Sequence, residues 1–353
     1  MTTNRLTKTL PTFFPALPAA ALVAAAAFLM LAPAETAHAQ QKGAPAKGGP
    51  AAAPGQAKGK QAKGPEVATL KVQGNVYMIV APGGNVVVQT GEWGVLVVDT
   101  PATGFSDAVI AEIRKLSDKP IRYLINTSID HTATNAPISR AGAPITGGNL
   151  GAVAFDNGAT IVSHENVLAR MVTAQEGQKV DNPDALPTTT YNEGQKEIFF
   201  NDEPVLAIFQ EAAHTDGDSV VFFRRSDVIA AGDVFDMRRF PKIDTARGGN
   251  VQGVLKALNL ILDLCIPRHE QEGGTYVIPG NGRLTDEHDV LEYRDMVTIV
   301  RDRVKNSIGK GQNLAQVKAA KPTYEYDARW GGAGTDWTSD MFVEAVYKSL
   351  GGK

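Results

Sequence analysis

Apolar residues along this chain gather first in short runs. Val67–Val72, Asn75–Ala81, Asn85–Thr90 and Gly94–Asp99 are separated by Gly and Asn turns, a pattern that predicts a meander of strands opening a sheet. Helical spacing follows at Ser106–Ser117, where Ile110, Ile113 and Leu116 share a face and Ser106 is the expected cap. Ile121–Ile125 reads as a buried strand running into a polar loop. Residues 132–157, rich in Gly, Ala and Asn, read as a long loop, and Ser163 as the cap of a helix through Met171. The second half repeats the style. Lys196–Phe200, Val205–Gln210, Ser219–Arg224 and Val228–Ala231 are predicted strands, Asn250–Leu264 an amphipathic helix and Thr275–Ile278 a last strand. Helices are expected over Thr285–Val304, with acids at its start, and over Leu314–Ala320 and Ser339–Leu350. Two strand-rich halves, each followed by helices, predict two sheets packed face to face with helices outside.

The N-terminus breaks this pattern. Arg5 and Lys8 precede an apolar run from Ala19 to Ala32, which ends in Ala37-His38-Ala39 before Gln40. A basic start, a short apolar stretch and a small-x-small site describe a secretory signal peptide over residues 1–39. The run is too short to span a bilayer comfortably. Residues 40–65 use only Gln, Lys, Gly, Ala and Pro, so with nothing to bury they read as a disordered linker. The expected product is exported, periplasmic or extracellular, with no transmembrane span in the mature chain.

Composition adds exclusions. The 353 residues are 43% hydrophobic and 21% charged, ordinary globular proportions. From Glu66 onward 28 basic residues face 37 acidic ones, a balance that argues against nucleic-acid binding. The lone Cys265 excludes an internal disulfide framework and a cysteine zinc ribbon, and reads as a buried small hydrophobe. There is no Gly-x-Ser-x-Gly elbow and no phosphate-binding Gly-x-x-x-x-Gly-Lys-Ser/Thr loop.

The candidate chemistry lies in four segments at strand ends. They are Asn126-Thr127-Ser128-Ile129-Asp130-His131, Ala213-His214-Thr215-Asp216-Gly217-Asp218, Gly232-Asp233-Val234-Phe235 and Pro279-Gly280-Asn281-Gly282. In order and spacing they resemble the metal-binding loops of the metallo-β-lactamase superfamily, over residues 67–283. Ser163-His164-Glu165-Asn166 also looks familiar for exported members. The resemblance implies an α+β fold, an αββα sandwich over residues 66–283, with a C-terminal helical extension over 284–353 and the site at one edge between the sheets. The family's first motif is His-x-His-x-Asp-His. Aligned without gaps, Asn126 and Ser128 stand where the leading histidines belong. A gapped alignment leaves Ser128 and Asp130 in ambiguous slots, and both alignments lack the leading pair. The last motif's histidine is replaced by Asn281. What the resemblance leaves as metal ligands is Asp130, His131, His214 and Asp233.

Catalytic zinc normally has three protein ligands and one open position. This set therefore implies one divalent ion, zinc first with manganese and iron as alternatives, and a metal-activated water oriented by Asp130. Asn126, Ser128, Asn281 and Arg239 are expected to bind substrate or support the site, with Arg238 or Arg239 meeting an anionic group at the rim. Bland roles stand beside these. His164 suits a helix start, His269 and His288 the surface, and Asp216 and Asp218 turns, while Gly248-Gly249 suits a hinge. Functionally, the reading is an exported hydrolase with a reduced site, acting on a small molecule through an ester, lactone, amide or phosphoester bond. The alternatives are a non-catalytic ligand-binding protein that kept the sandwich, and an envelope-tethered interaction module using the lysine linker. Oligomeric state is left open.

Overall fold

The computed structural model describes residues 67–145, 158–173, 182–270, 273–332 and 336–352. The signal peptide and linker lie outside the described residues. The first sheet has seven strands in sequence order: β1 (Ala68–Gln73), β2 (Val76–Ala81), β3 (Gly84–Gly91), β4 (Gly94–Val98), β5 (Ile121–Ile125), β6 (Thr160–His164) and β7 (Thr189–Tyr191). β1 to β4 form an antiparallel meander, and β4 to β7 run parallel. Helices α1 (Ser106–Leu116), α2 (Asn135–Arg140) and α3 (Glu165–Thr173) fall in its connections.

The second sheet has six strands: β8 (Gln195–Phe200), β9 (Glu203–Gln210), β10 (Asp218–Phe223), β11 (Val228–Asp236), β12 (Tyr276–Asn281) and β13 (Thr285–Asp286). Its neighbours are antiparallel except β11 and β12. Those two are joined through helix α4 (Val251–Leu264), as a parallel pair requires. Helices α5 (Glu287–Gly309), α6 (Leu314–Ala319), α7 (Asp327–Trp330) and α8 (Ser339–Ser349) follow.

Alternation along the strands sorts the apolar side chains into layers. Val87, Leu96, Val98, Ile125 and Val162 of the first sheet meet Val205, Val221, Phe223, Val228 and Ala230 of the second. The opposite faces carry helices. Val86, Val95, Val97 and Ile161 pack with Val109, Ile113 and Ile138 of α1 and α2. Ile229, Ala231 and Val277 pack with Val254, Leu258, Tyr293, Val297 and Phe342 of α4, α5 and α8. The result is the predicted αββα sandwich. Its second helical layer includes the C-terminal helices, so α5 and α8 share a core with α4.

Several local expectations are corrected. Residues 132–157 are not all loop, because Asn135–Arg140 is helical and buries Ala136 and Ile138. Ser163 does not cap a helix. Thr160–His164 pairs in parallel with β5 and β7, the Ser163 hydroxyl donates to the His164 carbonyl, and the helix starts at Glu165. Tertiary pairing on both sides turned an expected helix start into a central strand. β11 runs on to Asp236, so Asp233 lies inside a strand, and β12 runs on to Asn281.

Candidate metal centre

The four expected segments converge at one edge of the sandwich. The chain leaving β5 carries Asn126, Thr127 and Ser128 into a 3-10 turn at Ile129–His131, where the Ser128 hydroxyl accepts the Asp130 amide. β11 is interrupted by bulges on both sides of Gly232, whose φ is 55°. A Cβ there would stand 2.3 Å from Thr127 Oγ1, so only glycine lets β11 approach the β5 loop closely enough to present Asp233 to it. His214 comes from the β9–β10 loop.

Three donor atoms, one each from Asp130, His214 and Asp233, lie within 4.8 Å of one another. His214 Nε2 is 3.0 Å from Asp130 Oδ2 and 3.8 Å from Asp233 Oδ2. Its other nitrogen, Nδ1, is 2.6 Å from the Lys242 carbonyl oxygen, which can only accept, so Nδ1 carries a hydrogen. The neutral ring would then aim the Nε2 lone pair at two carboxylates. A positive charge must sit there, either a second ring proton or a metal ion. A histidine whose far N–H is held by a backbone carbonyl is the usual arrangement of a ligating imidazole. Oxygen and nitrogen ligands about 2.0–2.2 Å from a tetrahedral ion stand about 3.3–3.6 Å apart, close to the separations here. One ion therefore fits this set.

His131 stands beside it. The ring is buried, with Nε2 3.2 Å from Asp233 Oδ1, yet neither nitrogen has a hydrogen-bond partner among the described residues. Gly84 leaves room for this ring, since a Cβ there would lie 2.9 Å from His131 Cε1. Burial works against charging it, but the Asp233 and Asp99 carboxylates outweigh that and push His131 up to about 10. His214 is likewise pushed up to about 9 against burial, by its bond to Asp130 and the nearby Asp233 charge. Burial acts upward on Asp233, but the two imidazoles and the Ser128 hydroxyl, 2.7 Å from Oδ2, hold it well below the usual carboxylate range. Asp130 is held low too, by His214 and Arg247 and by Lys242, despite its partial burial.

The remaining expected residues divide. Ser128 reaches the centre through Asp233. Asn126 does not, because its amide pairs reciprocally with that of Asn135 at 2.9 Å in both directions and also donates to the His131 carbonyl. Asn281 accepts a hydrogen bond from Arg238. Arg239 is bonded instead to Asp236 at 2.8 Å and, more loosely, to Asp336. His164 stacks on Phe209 at 3.8 Å, with Nε2 near the Asn192 carbonyl. Asp216 pairs with Arg170, and Asp218 accepts the Thr215 amide and hydroxyl. His269 and His288 are surface residues, and Cys265 is half-buried just past α4, its thiol pushed up to about 12 by burial.

Sequence reasoning missed the cations. Arg247 reaches both Asp130 oxygens at 2.6 and 3.1 Å, and Lys242 Nζ lies 3.3 Å from Oδ2. Neither belongs to a recognisable motif. It also passed over Asp99, which accepts the Thr127 amide and hydroxyl, each at 2.7 Å, and so anchors the β5 loop. An acid closing the apolar run Gly94–Val98 was the available signal.

Layers, sheet order and edge site define the metallo-β-lactamase fold, and comparison with solved structures shows it. A stereoselective inverting sec-alkylsulfatase from Pseudomonas sp. is similar over 81% of this chain, with 13% identity and a TM-score of 0.59. This chain spans 50% of the alkylsulfatase's length. A metallo-β-lactamase from Pontibacter korlensis is similar over 66% of this chain and 99% of its own, with 12% identity and a TM-score of 0.51. No protein-family model and no curated protein matches the sequence.

Proposed function

We propose that the protein is an exported hydrolase with a one-ion centre held by Asp130, His214 and Asp233. The observation supporting this reading is His214: with Nδ1 committed to the Lys242 carbonyl, Nε2 faces two carboxylates, where an ion can take the place of the second ring proton. One imidazole and two carboxylates suit zinc, with manganese or iron as alternatives. Asn126 and Asn281 are bonded elsewhere, so beyond these three residues the expected set offers His131, whose Nε2 lies 3.2 Å from Asp233 Oδ1.

The bound ion would lower the pKa of a water and polarise the bond under attack. The protein's own groups do the rest. Asp130, held strongly ionised, is too weak a base to take a proton at neutral pH, so its carboxylate orients the water. Lys242 and Arg247 are paired with Asp130 and hold its carboxylate ionised and in place. His131 and Ser128 fix the Asp233 carboxylate from two sides.

The test is elemental mass spectrometry on the purified mature chain, with Asp233→Ala and His214→Ala beside it. About one equivalent of metal, lost in both variants, together with chelator-sensitive turnover on an ester, lactone, amide and phosphoester panel, is the expected result. Absence of metal after reconstitution would overturn it. A non-catalytic binding protein, in which Arg247 and Lys242 neutralise Asp130 permanently, would then be the better reading. Export is checked by N-terminal sequencing of the envelope fraction, expected to begin at Gln40.

A further inference from the structure

A cavity of about 380 Å³ lies beside the centre, between the Lys242–Ala246 segment and helix α8. Its apolar walls are Ile243, Trp337, Met341 and Ala345. Met341 and Ala345 are four residues apart and share a helix face. The opposite face of α8, with Phe342, Val343 and Val346, is buried in the core. Met341 is 41% exposed, a large apolar side chain left open beside the cavity.

The charges around this cavity are already committed. Asp244 is paired with Arg247 at 2.7 Å, and Glu344 with Lys348 at 2.8 Å and Lys318 at 2.7 Å. Lys242 reaches Asp130. A ligand group entering there would meet Met341 and the edges of the largely buried Ile243, Trp337 and Ala345, with the charged lining side chains already paired. Lys242, a wall residue of the cavity, also touches the centre. The carbonyl of Lys242 holds His214 Nδ1, while its ammonium contacts Asp130.

We propose that this cavity is the specificity pocket of the enzyme, and that it takes an uncharged medium-chain alkyl or aryl group. Resting on the hydrolase reading of the nearby centre, the substrate class is an ester-type small molecule with an apolar group. At about 380 Å³ the pocket is near the lower end for small-molecule sites, which suits such a group. The wall comes from α8, so the C-terminal helices supply recognition while the sandwich supplies the ion ligands.

Two measurements separate the pocket from the chemistry. Binding of 1-butanol, 1-hexanol and 1-octanol to the full mature protein, followed by tryptophan fluorescence and calorimetry, should strengthen by up to about fourfold per methylene until the pocket fills. Met341→Glu, at an exposed position, should weaken octanol binding at least about tenfold by placing a charge on the wall while leaving Tm unchanged. Ala345→Phe should block binding by filling the space, with the melting curve checking its fold. Affinity independent of chain length, or unaffected in Met341→Glu, would overturn the proposal. Turnover of 4-nitrophenyl acetate, butyrate, hexanoate and octanoate is then compared. Chain-length preference in kcat/KM that Met341→Glu flattens is expected. Octanol binding with no turnover of any ester would leave the pocket standing and count against ester hydrolysis at the centre.

Discussion

Asn126 shows how a residue expected at the site can instead do structural work. Asn126 stands at a family histidine position in the ungapped alignment, yet its amide forms a buried reciprocal pair with Asn135 and holds the turn that presents Asp130 and His131. Asn126→His is therefore expected to strand the Asn135 amide, costing about 1–3 kcal/mol, rather than to restore a second ion site. Urea denaturation and metal stoichiometry check both halves; two bound ions would sink the argument. Gly84 is the complementary case. With φ at +142° and His131 Cε1 2.9 Å from where a Cβ would stand, Gly84→Ala should displace the imidazole. The expected loss is about 1–3 kcal/mol, with weakened metal retention, measured by denaturation and elemental analysis.

At the scale of elements, α8 joins the second sheet's helical layer through an aromatic stack. Phe342 lies parallel to Phe240 with ring centroids 4.8 Å apart, and both are buried. Phe240 follows β11 within a few residues of Asp236, so the stack ties α8 to the segment carrying Lys242. Phe342→Ala should cost about 3–5 kcal/mol and loosen that segment together with the pocket. Chemical denaturation and octanol binding are the readouts. A large stability loss with unchanged octanol affinity would show that α8 is held independently of the stack. None of the described helices is long and apolar enough to cross a membrane.

Across the whole molecule, the centre sets a pH dependence whose sign follows from its pairs. Without metal, His131 and His214 are raised to about 10 and 9 from an ordinary 6.5. Their stabilisation is complete below about pH 6.5 and lost as pH rises through 9 and 10. Asp218, pushed up to about 7 by burial, adds to the decline between its ordinary 3.8 and 7. Asp130 and Asp233 are depressed, so their contribution is present above about pH 4 and lost in stronger acid. Melting temperature in chelator should therefore be highest in mildly acidic buffer and fall steadily toward alkaline pH. On the proposed reading zinc would take the place of the His214 Nε2 proton, so added zinc should raise Tm more at pH 8 than at pH 6 and release protons on binding. A Tm in chelator that climbs from pH 6 to pH 9 would contradict this charge assignment.

The sequence by itself determined the two strand-rich halves and their face-to-face layering, because alternation is a local signal, while its resemblance to a family's motifs singled out Asp130, His131, His214 and Asp233 as candidate ligands. It also carried α1, α4 and α5 to within a few residues. It misread Thr160–His164, where β5 and β7 pair on both sides of a short segment that in isolation looks like a helix start. It could not show that Arg247 and Lys242, more than a hundred residues from Asp130, close on that carboxylate, nor that Arg239 turns away from the site to Asp236. The cavity under α8 was equally invisible, being made by two segments nearly a hundred residues apart. Spacing along a chain encodes which groups a strand end presents. Which distant charges neutralise them, and what space remains beside them, is decided only when the layers pack.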